Sequence, residues 1–169
     1  MIPGRTIQGR LFESFEKHRD NIAIECGGVG LTYKELHRFS DEIANWLMAQ
    51  GIKKETFIAI MVDDRIALVT MILGAIKAGC VFVPLDSRYP PRRTEAMLRT
   101  SEVPYVIVGK GNRERLREIR RELSHRMDII LINKTFHLPG NPLRPCIEED
   151  KYKLSEVERT RLQTTQRRR

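Results

Sequence analysis

Residues 57–83 read FIAIMVDDRIALVTMILGAIKAGCVFV, and this stretch decides the fold. Phe57 to Val62 is an unbroken apolar run without alternation, the pattern of a strand covered on both faces in a parallel sheet. Leu68, Met71, Ile72, Ala75 and Ile76 then recur at steps of three and four, which places them on one side of a helix. Gly79 closes that helix, Cys80 to Val83 forms a second buried run, and Pro84 ends it. Strand, helix, strand is the repeating unit of an α/β fold.

The pattern continues downstream. Pro90 and Pro91 stand where a helix would start, because a fixed φ and a missing N–H are tolerated in a first turn; the helix is predicted to run to Thr100. Tyr105 to Val108 reads as a strand, and Asn112 to His125 as a strongly charged helix with Leu116, Ile119 and Leu123 inward. Asp128 to Ile132 reads as a further strand. Alternation from Phe57 to Ile132 predicts a largely parallel sheet joined by right-handed crossover helices. Three prolines and a glycine between Leu138 and Pro145 then predict a loop or linker.

Upstream, Leu11, Phe12 and Phe15 share one face of a helix predicted over Thr6 to Lys17, ended by Asp20 and Asn21. Ile22 to Ile24, the turn Gly27 to Gly30 and Leu31 to Tyr33 predict a small β-hairpin. Thr32 followed by Glu35 fits a capping box, in which hydroxyl and carboxylate each satisfy a free backbone N–H at a helix start. That helix carries Leu36, Phe39, Ile43, Trp46 and Leu47 on its inner face and ends at Gly51.

The chain has 169 residues, 41% apolar and 31% charged, enough for one domain with a packed core. The net charge of +8 is uneven: Lys151 to Arg169 holds seven basic and two acidic residues, +5, which leaves +3 for residues 1–150. The chain therefore divides into a nearly balanced body, 1–150, and a basic tail, 151–169, read as a solvated, disordered end in preference to a nucleic-acid arm. Cys26, Cys80 and Cys146 are odd in number and widely spaced, which fits neither a disulfide framework nor a zinc site and points to a reducing cytoplasm. MIPGRTIQGR lacks a signal-peptide profile, and the longest apolar run, Ile66 to Ile76, is too short to span a bilayer.

Two strings go further than periodicity. LTYKEL, Leu31 to Leu36, resembles the first core motif of the adenylation domains of nonribosomal peptide synthetases, in the AMP-binding, acyl-adenylate-forming superfamily. IKAGCVFVPLDSRYPPRRTEAML, Ile76 to Leu98, resembles that family's second core motif, LKAGxAYVPLDPxYPxxRxxxML, in matching order and separation. Asp86 and the pair Tyr89-Pro90 look like the amino-acid-activating branch. The resemblance covers Thr6 to Ile147 and implies the N-terminal part of the large subdomain of an adenylate-forming enzyme. Thr94, where the family usually has an aliphatic residue, and Arg19, in place of a common proline, are departures expected to lie at the surface.

The resemblance implies an enzyme that joins ATP to an amino-acid carboxylate, releases pyrophosphate and passes the acyl group to a carrier-protein thiol, with Mg²⁺ as the metal. Such chemistry needs close approach of backbone N–H groups to phosphate oxygens, supplied in this family by a loop rich in Ser, Thr and Gly with a lysine. A match should resemble AYIIYTSGTTGxPKG after an acidic residue such as Asp150. The sequence instead reads KYKLSEVERTRLQTTQRRR, with no glycine after Gly140. ATP and Mg²⁺ are therefore expected only of a complete domain, and the chain by itself is expected to be inactive. A change of reading frame near Lys151 would produce this break, which the DNA downstream of Asp150 tests directly.

No catalytic, cofactor-binding or metal-ligating residue is assigned. Gly109-Lys110-Gly111 lies where a dinucleotide fingerprint would lie, but Glu114 replaces its third glycine and an ordinary turn is the better reading. His18, His37, His125 and His137 lack metal-ligand spacing and read as solvated or loop residues. Arg113, Arg115, Arg117, Arg120 and Arg121 alternate with Glu114, Glu118 and Glu122, a salt-bridged exposed face. Asp86 reads as the cap of a turn or the partner of an arginine. Two other functions stay open: an interaction module, or half of a split enzyme, docking through a free sheet edge; and nucleic-acid binding by the tail. Removal of later strands predicts a marginal or aggregating product.

Overall fold

The computed structural model of the protein describes residues 6–132 and 147–150. The predicted linker Leu138–Pro145, the tail, His137 and Cys146 lie outside the described residues. Helix α1 (Ile7–Lys17) leads into strands β1 (Ile22–Cys26) and β2 (Val29–Thr32), which pair antiparallel. The turn between them needs only Gly27 and Gly28, with φ of +60° and +77°; two successive positive values define the hairpin turn that matches strand twist and that glycine adopts without strain. Helix α2 (Tyr33–Ala49) follows at once. Its capping box forms as predicted: Glu35 N–H donates to Thr32 Oγ1 at 3.2 Å, and Thr32 N–H donates to Glu35 Oε2 at 2.9 Å.

The alternating region gives β3 (Phe57–Met61), α3 (Arg65–Lys77), β4 (Val81–Pro84), α4 (Pro91–Ser101) and β5 (Tyr105–Gly109). A 3₁₀ turn (Lys110–Asn112), α5 (Arg113–Arg121), β6 (Asp128–Ile132) and β7 (Ile147–Asp150) complete the described elements. The second sheet runs β4-β3-β5-β6-β7. Its first four strands are parallel, as the alternation predicts, and β7 joins β6 antiparallel with Ile132 opposite Ile147. Strand β7, sequence IEED, carries no apolar alternation, so only its pairing partner makes it a strand.

Because side chains alternate across a strand, the sheet has two buried faces. Ile58, Ile60, Ile107, Ile130 and Ile132 face α2, α3 and Phe15 of α1, while Ala59, Met61, Val106, Val108, Ile129 and Leu131 face Leu98 of α4 and Leu116 and Ile119 of α5. Full burial of each large aliphatic side chain contributes roughly 1.5–3 kcal/mol, so this doubly covered sheet dominates the stability of the chain. Helices α2 and α3 meet closely at Gly74, where an added Cβ would lie 2.7 Å from Ile43 Cβ and 3.2 Å from Ser40 O.

Several expectations change. Helix α3 is apolar around most of its circumference, so its phase was not readable: Ile66, Ala67, Thr70 and Gly74 are the buried partners of Met71 and Ala75, whereas Leu68, Ile72 and Ile76 are only half-buried. Strand β4 is not a buried run but the edge of the sheet, with Val81 40% exposed. Phe12 is 57% exposed, since α1 turns Leu11 and Phe15 inward instead. Helix α5 stops at Arg121, its end tightened by Glu122 N–H to Ile119 O and Leu123 N–H to Arg120 O, although Leu123 is still buried.

Candidate functional site

From β3 the chain moves to β4 on one side and then to β5 on the other, so the topology switches between β3 and β5. Open α/β sheets bind ligands outside the carboxyl ends of the strands at such a switch. Here that position is taken by Asp63, two residues beyond β3. Its carboxylate accepts from Ser87 Oγ at 2.5 Å and from Asn112 Nδ2 at 2.9 Å. Ser87 lies on the β4–α4 loop and buried Asn112 on the β5–α5 turn, so one carboxylate ties three loops. The sequence reading missed this trio; the convergence of strand ends in an alternating fold was the signal for it.

Next to it, Asp86 caps its own turn. Its Oδ1 accepts from Arg88 N–H and from Arg88 Nε, both at 2.9 Å, and its Oδ2 accepts from Arg88 Nη2 at 2.6 Å. The hydrogen bond from the Arg88 side chain, then that from its backbone, hold the carboxyl down at about 2. Tyr89 follows, with Arg93 4.1 Å over its ring and Arg115 donating to its carbonyl. Pro90 and Pro91 then open α4 as predicted. Arg115 thus leaves the salt-bridged face expected on α5, where Arg117 pairs with Glu114 at 2.8 Å.

The same donors decide whether the phosphates of ATP suit these residues, and they do not. A carboxylate, already hydrogen-bonded twice, stands at the switch, where phosphates would need N–H donors or cations. Asp86, also at this edge, is engaged by Arg88, and Asp64 by the Ala67 N–H. Gly109-Lys110-Gly111 ends β5 and enters a 3₁₀ turn, and the adjoining Asn112 amide is turned to Asp63. No step through ATP or Mg²⁺ is derived from these residues.

His37 and Thr94, both expected in solvent, are not there. His37, on α2, stacks on Phe15 with ring centroids 4.7 Å apart, and its Nδ1 lies 2.6 Å from Lys77 Nζ and 3.2 Å from Asp41 Oδ2. Burial lowers the pKa of Lys77, against the opposing hydrogen bond and charge of Asp41. The lysine of the KAG string is therefore a clamp between α2 and α3. Thr94 is 0% exposed and its Oγ1 has no hydrogen-bond partner. The departure from an aliphatic residue is thus in the core, where the first turn of α4 meets the sheet layer, and not at the surface; Arg19 is exposed as expected. Among the described residues no group of His, Cys, Asp or Glu is arranged to hold a metal, and no helix is long and apolar enough to cross a membrane.

The loops and helices that carry the two strings belong to a recognisable lineage. Gramicidin S synthase 2 of Brevibacillus brevis is 38% identical over 96 residues, which is 57% of this chain and 2% of that protein. The benzoate CoA ligase of Burkholderia xenovorans LB400 superposes with a TM-score of 0.65 at 24% identity, over 73% of this chain and 25% of the ligase. NpsA-ThdA, an artificially fused adenylation-PCP di-domain from Klebsiella oxytoca, gives 0.56 at 26% identity over 58% of this chain and 19% of that one. The chain therefore spans a small part of the proteins it matches. Residues 11–162 match the family described as AMP-binding enzyme, and the chain belongs to that family.

Proposed function

We propose that the chain is the N-terminal scaffold of an amino-acid-activating adenylation domain of nonribosomal peptide biosynthesis, and that by itself it forms no aminoacyl-AMP. The observation that carries this reading is the 38% identity to gramicidin S synthase 2 over 96 residues. LTYKEL caps α2, and the longer string supplies the end of α3, β4, the Asp86 turn and α4, all of them scaffold. The Asp63 carboxylate at the switch, engaged by Ser87 and Asn112, supports the inactive reading. ATP, Mg²⁺ and a carrier-protein thiol then belong to the complete domain. Unpaired Cys26 and Cys80 favour a reducing, cytoplasmic setting.

The test is amino-acid-dependent ATP–pyrophosphate exchange. Purified chain should give none; exchange by the chain alone overturns the inactive reading. Exchange that arises only on mixing with a complementary downstream fragment assigns the chain to a split enzyme, a reading favoured by the edge of β4, which has no outer neighbour among the described residues. Nucleic-acid binding through the tail predicts salt-sensitive retention on DNA or RNA that is lost on deletion of Lys151–Arg169.

A further inference from the structure

Among the described residues β4 ends the sheet, paired only on its inner side with β3. Val81 N–H donates to Thr56 O at 2.9 Å and Leu85 N–H to Ile60 O at 2.8 Å. By the two-residue period of a strand, Val81, Val83 and Leu85 turn their backbone groups inward and Phe82 turns both of its own outward. At the next outward position Pro84 has no N–H, and at the previous one Cys80 N–H is bonded to Ala75 O at 2.9 Å. The edge therefore offers one free donor, and Phe82 carries it together with an acceptor, an arrangement that is its own complement.

We propose that β4 pairs with β4 of a second copy of this chain, antiparallel and centred on Phe82. The two Phe82 residues then exchange N–H···O bonds, and Val81 of each copy stands opposite Val83 of the other. Val81, 40% exposed, and Phe57, 44% exposed beside it in the β3–β4 register, lose solvent together. Charge favours the same orientation. The entry to the edge carries Lys53 and Lys54, the latter with its stem against Gly79, and Glu55, a net positive end, whereas Asp63 lies at its exit beside an Asp86 that Arg88 neutralises. An antiparallel pair brings each lysine end towards the other copy's aspartate end.

Pro84 limits the ladder to two hydrogen bonds, and the two-fold axis uses both edges, so the pair is closed. This inference does not depend on the adenylation reading. It goes beyond general aggregation by fixing register, partner and stoichiometry.

Sedimentation equilibrium of the full chain should show a reversible, concentration-dependent dimer. Val81→Lys should weaken it by more than about tenfold while the melt of the monomer is unchanged. Met48→Lys, at a 50% exposed site on α2 and not on the sheet, should leave the dimer intact. Should Val81→Lys fail to fold, Val81→Thr is read in its place. A chain that stays monomeric at every concentration, a dimer indifferent to the Val81 change or lost equally in Met48→Lys, or open-ended growth each overturns the proposal.

Discussion

Lys77 Nζ lies 2.6 Å from His37 Nδ1, across the seam between α3 and α2, while the His37 ring lies parallel to Phe15 of α1. Lys77 also donates to His37 O at 3.0 Å and to Asp41 Oδ1 at 2.8 Å, and sits 4.7 Å from the Phe15 ring centroid. One ammonium thus organises three helices. Lys77→Ala should lower stability by about 1–2 kcal/mol and speed amide exchange in α1 more than in β5, because it strands half-buried acceptors. Urea titration with hydrogen exchange measures both; equal acceleration everywhere would count against the clamp.

The same lysine predicts an alkaline response. Its folded pKa is lowered below 10.5, chiefly by burial, so between that value and 10.5 the unfolded chain binds more protons than the folded one. Stability contributed by this group therefore rises with pH through that window. Burial raises the Cys80 pKa above 9.0, which acts in the opposite sense, so the comparison must be made against Lys77→Met in the same background. The variant should lack the upward component; parallel stability–pH curves would refute it.

Thr94 carries a buried hydroxyl without a partner. Thr94→Val keeps the shape and removes the desolvated group, so it should stabilise by about 1–2 kcal/mol, while Thr94→Ser should not. Thermal melts of the three proteins decide it, and a destabilised valine variant would mean that the hydroxyl has an acceptor after all.

Gly74→Ala should cost about 1–3 kcal/mol, because its Cβ meets Ile43 and the α2 backbone and neither can give way without parting the helices. Gly111→Ala, with nothing within 4 Å of its Cβ, is the control and should be near neutral. Equal effects in chemical denaturation would show that helix contact is not the cause.

The Asp86 carboxyl, held at about 2 by Arg88, should still be ionised well below 3.8. Since its folded pKa is depressed, whatever it contributes is present above 3.8 and fades as pH falls towards 2. Arg88→Gln should return the midpoint towards 3.8, as read from the carboxyl carbon shift by NMR; an unchanged midpoint would assign the depression to another group.

Much of this was legible from local chemistry. The capping box at Thr32 and Glu35, the glycines at Gly27, Gly28, Gly51 and Gly79, and the prolines opening α4 act within a few residues, and the hairpin turn, both ends of α2, the end of α3 and the start of α4 follow from them. Continuous apolar runs likewise required a sheet covered on both faces. Burial at a given residue was less legible, because the α3 sequence is apolar on every side and its phase depends on what packs against it.

The sequence by itself determined the order of strands and helices and the family strings, since periodicity, caps and turn residues are encoded in neighbours along the chain. Only the tertiary structure decided that β4 is an edge, that IEED becomes a strand on β6, that Thr94 is buried and that Asp63 meets Ser87 and Asn112. Those four outcomes depend on contacts between residues far apart in sequence. Such contacts are set by how layers stack once many side chains leave water together, and no local pattern carries that information.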